Sequence, residues 1–414
     1  MNGSVKNSQQ EPKGARDTAV LFESGKLLHP LSPHHPGYLD LIRYLYRISG
    51  TDDLPAPRDG EQRIAGFVGV PEHIVFVLVD GMGLNTSVHF PRGGFLDRGF
   101  ACEMRALFPS TTAAVLTSTA NGFWPAENGI TGWWTCVPEY GYVLLPLPFV
   151  ERESGMPVSR LGITFDDLVR HPPLLDVFER EVCSFVPDQF ADGSFTAWMR
   201  GAQPLAPFGS LDELARKVKE FLASPGGLPT FTYIYISEVD TLSHKHGYDA
   251  PEVGETVRRI DRFLARLAGE LPNEALLVVT ADHGQVIVDG LRHTVIDRES
   301  ELMRYLEYPP SGEPTVPVFH VKPGHESGFA DAFAASEAGS SFDLLETDRA
   351  EELELFGPRP LSDAMRRRLG TYIGIATEAA LLDYVAAGDR PPAMLGAHGG
   401  LRAEEMRIGL FVSP

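Results

Sequence analysis

HIVFVLVDGMG, residues 73–83, contains six consecutive apolar side chains, Ile74 to Val79, closed by Asp80 and Gly81. A strand with one face in water alternates polar and apolar residues, whereas an unbroken β-branched run marks a strand covered on both faces. Such strands belong to parallel sheets sandwiched between helices, and those sheets collect ligands beyond their carboxyl ends. Asp80 stands at that end.

Working outward, TFTYIYISE (230–238) and ALLVVTADHG (275–284) repeat the pattern, each apolar run ending in polar residues or an Asp. RIGLFV (407–412) predicts a fourth strand, and PVFHV (317–321) and EVCSFV (181–186) two weaker ones. Helical periodicity separates them at 211–224, 251–271, 361–369 and 376–387. The alternation predicts one doubly wound α/β sandwich. Residues 1–18 read as a polar, disordered leader, 19–60 as an N-terminal elaboration, and 61–414 as the catalytic domain. The stretches 133–208 and 291–360 fit the alternation poorly and are expected as cap insertions over the site.

Composition narrows the function. The 414 residues carry 56 acidic and 36 basic side chains, a formal charge of −20, so a polyanionic nucleic acid is excluded as a partner. A small anion is still compatible, because a bound metal outweighs a distant acidic surface. The three cysteines, Cys102, Cys136 and Cys183, form no CxxC pair, which argues against a thiolate zinc knuckle. The first residues lack an apolar signal-peptide core, and no apolar run reaches membrane-spanning length. A cytoplasmic protein without membrane attachment is therefore expected.

Seven side chains carry the chemistry: Asp80, Thr112, Asp240, His244, Asp282, His283 and His398. Asp80, Asp240 and Asp282 each follow a buried strand, so three carboxylates converge at one sheet edge. Without cations they would repel one another, and divalent metals remove that repulsion. Asp240 and His244 are one helical turn apart and share a face. Carboxylate and imidazole ligands without thiolate suit zinc and tolerate manganese or iron. The segment FPSTTAAVLTSTANG (108–122) places hydroxyls at a helix N-terminus, where free amides and the helix dipole favour phosphate oxygens. Ser110, Thr111 and Thr112 all offer a hydroxyl there. Any one of these residues alone reads as a cap or turn residue; the ordered set points to a hydrolase.

The segments VDGMG, FPSTT with ANG downstream, DTLSHKHG, TADHG and AHGG resemble the metal core of the alkaline phosphatase superfamily. The pattern is most similar to the type I phosphodiesterase/nucleotide pyrophosphatase branch, to which phosphonoacetate hydrolases are related. The resemblance implies a three-layer α/β/α sandwich with a central, mostly parallel sheet and cap insertions. It also implies two zinc ions, one on Asp80, Thr112, Asp282 and His283 and one on Asp240, His244 and His398. Thr112 would then attack phosphorus to give a phospho-threonine intermediate, which water on the second zinc hydrolyses. The substrate implied is a small phosphodiester or pyrophosphate. A phosphomonoesterase or phosphonate hydrolase shares the same core, and an inactive phospho-ligand-binding relative would retain the fold.

Three positions depart from the pattern. Val115 stands where the family's phosphodiesterases usually carry an Asn, Ala113 where an aromatic residue often stacks a base, and Asn128 where the downstream turn usually has His. Trp124, Trp133, Trp134 and Tyr140 offer a substitute stacking wall, with core packing as the alternative.

Overall fold

The computed structural model describes residues 18–51, 53–223, 227–288, 292–386, 391 and 393–413. Its central sheet is built from β1 (His73–Val79), β2 (Phe100–Arg105), β3 (Glu181–Phe185), β4 (Thr230–Ile236), β5 (Ala275–Thr280) and β6 (Arg407–Val412), in the order β2-β6-β5-β1-β4-β3. β1 pairs in parallel with both β4 and β5, and β3 runs parallel to β4. β6 is antiparallel to both of its neighbours, so it is the one reversed strand of the six. β4 is buried along its entire length and β1 at every residue after His73, as their unbroken apolar runs require.

Two groups of helices cover the sheet. One contains α1 (Tyr38–Arg47) and α2 (Thr112–Asn121), which pack together. The Tyr38 hydroxyl lies 2.6 Å from Thr119 Oγ1, and Arg43 Nε donates to the Gly122 carbonyl at 2.7 Å. The N-terminal segment thus braces the outer side of α2. The other group contains α3 (Leu211–Ala223), α4 (Glu238–His246) and α5 (Pro251–Glu270). The architecture is the expected α/β/α sandwich with a mostly parallel central sheet.

Some sequence expectations change. Residues 1–17 of the expected leader lie outside the described residues, and Thr18 is buried, its amide donating to Asp343 at 3.1 Å. The stretch 376–387 is not a helix. Ala376 ends the strand Tyr372–Ala376, and Leu381–Tyr384 forms a strand paired with His293–Ile296, while residue 387 lies outside the described residues. Its Ala- and Leu-rich composition favours helix, but pairing across the fold overrides that preference. Val316–Phe319, from the PVFHV run, joins a second, antiparallel sheet with Ser311–Glu313, Phe342–Glu346 and Tyr372–Ala376. That sheet has its own core around Phe319, Phe329 and Phe333. Within 133–208, Glu181–Phe185 belongs to the central sheet, and the residues on either side lie beside the site.

Candidate metal centre

The carboxyl ends of β1, β4 and β5 deliver Asp80, the Asp240 turn and Asp282 to one place. Asp80 extends the ladder, its amide donating to Ile236 and its carbonyl accepting from the Asp240 amide at 3.1 Å. Gly81 lets the chain leave β1 here, with φ +71°, and a Cβ on it would sit 2.7 Å from Asp240 Cα. All seven side chains meet around this point. Asp240, His244 and His398 bring their ligand atoms together, as do Asp80, Asp240 and His283. Asp240 therefore lies between two clusters instead of within one alone.

Each histidine is held by its far nitrogen. Nδ1 of His244, His283 and His398 lies 2.8, 3.0 and 3.0 Å from the carbonyls of Gly396, Gly284 and Ser110. A carbonyl only accepts, so each Nδ1 carries the proton and each Nε2 presents a lone pair, as metal-binding imidazoles do. Nε2 of His398 and Nε2 of His244 face each other at 3.1 Å, and both approach Asp240 Oδ1, at 3.7 and 3.3 Å. Two facing lone pairs repel unless a cation lies between them. On the other side, His283 Nε2 is 3.3 Å from Asp282 Oδ2 and 3.6 Å from Asp80 Oδ1. Asp282 Oδ1 accepts from the amides of Gly81 and His283, while its buried Oδ2 has no hydrogen-bond partner among the described residues. The orphaned oxygen, the facing lone pairs and the oxygen–nitrogen donor set all fit divalent cations.

Electrostatics agree. Burial, reinforced by Asp282 and Asp240, pushes the Asp80 carboxyl well above the ordinary carboxylate range. Burial and the imidazoles of His283 and His244 push His398 well below its ordinary value, holding it neutral. Tyr235, missed in the sequence reading, donates its hydroxyl to Asp80 Oδ2. Gln285, also missed, donates to Asp240 Oδ1 at 2.5 Å.

The hydroxyl run separates by partner. Ser110 Oγ donates to the Gly400 carbonyl and Thr111 Oγ1 to Glu313, at 2.8 and 2.5 Å. Thr112 Oγ1 faces the centre, 3.2 Å from His283 Nε2 and 3.4 Å from each Asp80 oxygen. A pocket of about 410 Å³ opens from Asp80, Thr112 and Asp240 toward a wall that includes Leu116, Val186, Phe190, Phe195 and Met199. Of the four expected aromatics only Trp133 lines it. Trp124 is buried beneath Arg43 and Arg58, and Trp134 lies under the Arg152 guanidinium. Asn128 is buried away from the pocket wall, hydrogen-bonded to Asn121 and the Phe123 carbonyl.

Gly399, next to His398, has φ +121°, and a Cβ there would lie 2.7 Å from Glu313 Cβ. Gly399→Ala is therefore expected to lower stability by about 1–3 kcal/mol, through strain and overlap together, in urea or thermal denaturation.

The family model described as type I phosphodiesterase / nucleotide pyrophosphatase matches residues 93–335, more than half of the chain. The chain belongs to that family. Type I phosphodiesterases are metal-dependent phosphoester hydrolases, and the Asp and His clusters are groups that could hold the metal. No curated protein matches the sequence. Among solved structures, murine ectonucleotide pyrophosphatase / phosphodiesterase 5 is similar in fold, with a TM-score of 0.61 at 18% identity over 82% of this chain and 87% of that one. An inactive variant of the murine protein in complex with AMP gives a TM-score of 0.60 at 18% identity, over 82% and 87% of the two chains. Phosphonoacetate hydrolase from Sinorhizobium meliloti 1021, in complex with phosphonoformate, gives 0.55 at 20% identity over 83% and 90%. Among the described residues no helix is long and apolar enough to cross a membrane.

Proposed function

We propose that this chain is a two-zinc phosphodiesterase or pyrophosphatase that transfers a phosphoryl group to Thr112 and then to water. The observation that carries the reading is the position of the Thr112 hydroxyl, which alone of the three in its run faces the Asp and His cluster. Asp80, Thr112, Asp282 and His283 would hold one ion and Asp240, His244 and His398 the other, with Asp240 close to both. Bound divalent cations supply positive charge to the attacking and leaving oxygens and lower the pKa of a coordinated hydroxyl. The chain's own residues do the rest. Tyr235 and Gln285 fix Asp80 and Asp240, the three Nδ1–H bonds aim the imidazoles, and α2 points its N-terminus at the phosphate. Thr112 Oγ forms the new bond to phosphorus as the bond to the leaving oxygen breaks. Water then attacks phosphorus as its bond to Thr112 Oγ breaks, so the phosphomonoester leaves with its remaining substituent and Thr112 regains its proton.

The pocket favours a diester over a monoester or phosphonate. A monoester leaves the apolar wall bare on one side of phosphorus, whereas the second ester group of a diester covers it. Among the described residues of the lining the one basic side chain is Arg200, and its Nη1 donates to the carbonyls of Gly201 and Gln203, so a small dianion meets a single, partly engaged cation there. Burying an aryl group contributes about 1.5–3 kcal/mol. Bis(p-nitrophenyl) phosphate is therefore expected to exceed p-nitrophenyl phosphate in kcat/KM by about tenfold or more. A preference for the monoester, or for phosphonoacetate, would sink this choice. The AMP complex of the murine relative supports including dinucleotides and nucleoside pyrophosphates in the same panel.

A further inference from the structure

Thr111 is the N-cap of α2, yet its side chain makes no capping hydrogen bond. A threonine in this position ordinarily turns its oxygen inward to accept from the second or third amide of the helix. Here Oγ1 turns outward and donates to Glu313 Oε1 at 2.5 Å, and the same oxygen accepts the Trp133 amide at 2.5 Å. Glu313 is 5% exposed and ends the strand Ser311–Glu313 of the second sheet. Two residues on, Thr315 Oγ1 donates to the His398 carbonyl at 2.8 Å. One turn of the second sheet thus reaches the residue before Thr112, the backbone of a pocket tryptophan and the backbone of His398.

A buried carboxyl is costly to keep, so what it displaces is informative. One turn into α2, Val115 is apolar and fully buried, and its side chain cannot donate a hydrogen bond to phosphate. Stabilisation of the phosphate oxygens by the protein itself then falls on the first amides of α2.

We propose that Glu313 is a positioning residue: it draws the Thr111 hydroxyl away from the α2 N-terminus, leaving the amides of Ala113 and Ala114 open to the phosphate oxygens of the substrate. The inference rests on the proposed phosphoryl transfer at that site. In Glu313→Ala the hydroxyl is free to turn inward and cap the helix in competition with substrate. The kcat/KM for bis(p-nitrophenyl) phosphate then falls roughly five- to thirtyfold, the scale of an N-cap exchange of typical to large size. Zinc content stays unchanged. Thr111→Val alone stays within about threefold of wild type, since it removes a hydroxyl that was not capping. Adding Thr111→Val to Glu313→Ala restores the rate, and Glu313→Gln, which keeps an acceptor oxygen, stays close to wild type.

A merely structural Glu313 gives a loss that Thr111→Val does not repair, and that result overturns the proposal, as does a Glu313→Ala enzyme with wild-type rates. If Glu313→Ala does not fold, Glu313→Asp withdraws the carboxylate by one methylene and meets the same rescue criterion. Calorimetric titration of the zinc-loaded proteins with inorganic phosphate follows the same order and does not depend on turnover. Weakened phosphate binding rescued by Thr111→Val, in a protein that hydrolyses no diester, would sink the phosphodiesterase reading while upholding the role of Glu313.

Discussion

Thr112→Ala is expected to lower phosphodiester hydrolysis by on the order of 10⁴-fold or more, the scale at which removal of a covalent nucleophile acts. The protein should remain folded with its metal content intact. Thr112 is the first residue of α2 and contributes one hydroxyl and one methyl group to the site; its loss leaves three of the four residues that would hold one ion, Asp80, Asp282 and His283, and all three that would hold the other. The neighbours cannot readily substitute. Ser110 and Thr111 spend their hydroxyls on Gly400 and Glu313, and Ser110 Oγ also accepts the Gly399 amide at 3.2 Å. Three measurements test this together: kcat on an aryl phosphodiester, zinc per chain by mass spectrometry, and acid-quenched peptide mapping of 106–122 for a phosphorylated residue. The phosphoryl group, still carrying its second aryl ester, should be found on Thr112 in the wild type and nowhere in the variant. A variant within tenfold of wild type, or phosphate on Ser110 or Thr111, would refute the assignment.

The fold class and the strands that deliver the candidate site were legible in the sequence, whereas much of the surrounding structure was not. β1, β4 and β5 are buried along most of their length, so their composition alone identifies them, and the candidate ligands follow at their ends. β2 escaped because it is an edge strand: FACEMR starts exposed and carries Glu103 and Arg105 in its second half, so it has no long apolar run. The stretch Ala376 to Ala387 misled for the opposite reason. Its local preference is helical, and its actual state depends on a partner strand about 90 residues away. Within the site, Tyr235 was hidden inside an apolar run where tyrosine gives no sign of a polar task. Glu313 is 202 residues from Thr111 and sits in a segment with no motif of its own. The pocket wall left one usable trace: Phe195 and Met199 are four apart on the Ser194–Arg200 helix and both line the pocket. Metal ligands carry their chemistry in residue type and spacing, whereas the groups that aim them are specified only by the folded chain.

Chelation is expected to abolish hydrolysis and to lower the melting temperature, and the thermal gap between loaded and metal-free protein should widen with pH. Metal-free protein keeps Asp80, Asp240 and Asp282 at one buried edge. The Asp80 carboxyl is raised by burial and by its two carboxylate neighbours. For an acid whose folded pKa exceeds its unfolded value, the folded state holds the proton longer, so stability is lost as pH rises from the unfolded pKa through the folded one. The metal-free fold therefore weakens from the ordinary carboxylate range upward. Bound cations remove this penalty by neutralising the carboxylates, and they add stabilisation of their own, about 4 kcal/mol when free metal is a thousandfold above its dissociation constant. Protons oppose loading in the same direction, because Asp80 must ionise before it can bind. Melting curves of both forms between about pH 5 and about pH 8 should show the gap growing steadily, with hydrolysis and the higher melting temperature both restored by two equivalents of zinc. A gap that is absent or constant across that range would mean that the three carboxylates do not hold metal. Restoration complete at one equivalent would reduce the centre to a single ion, and Asp240, lying between the two clusters, would be the residue to reassign.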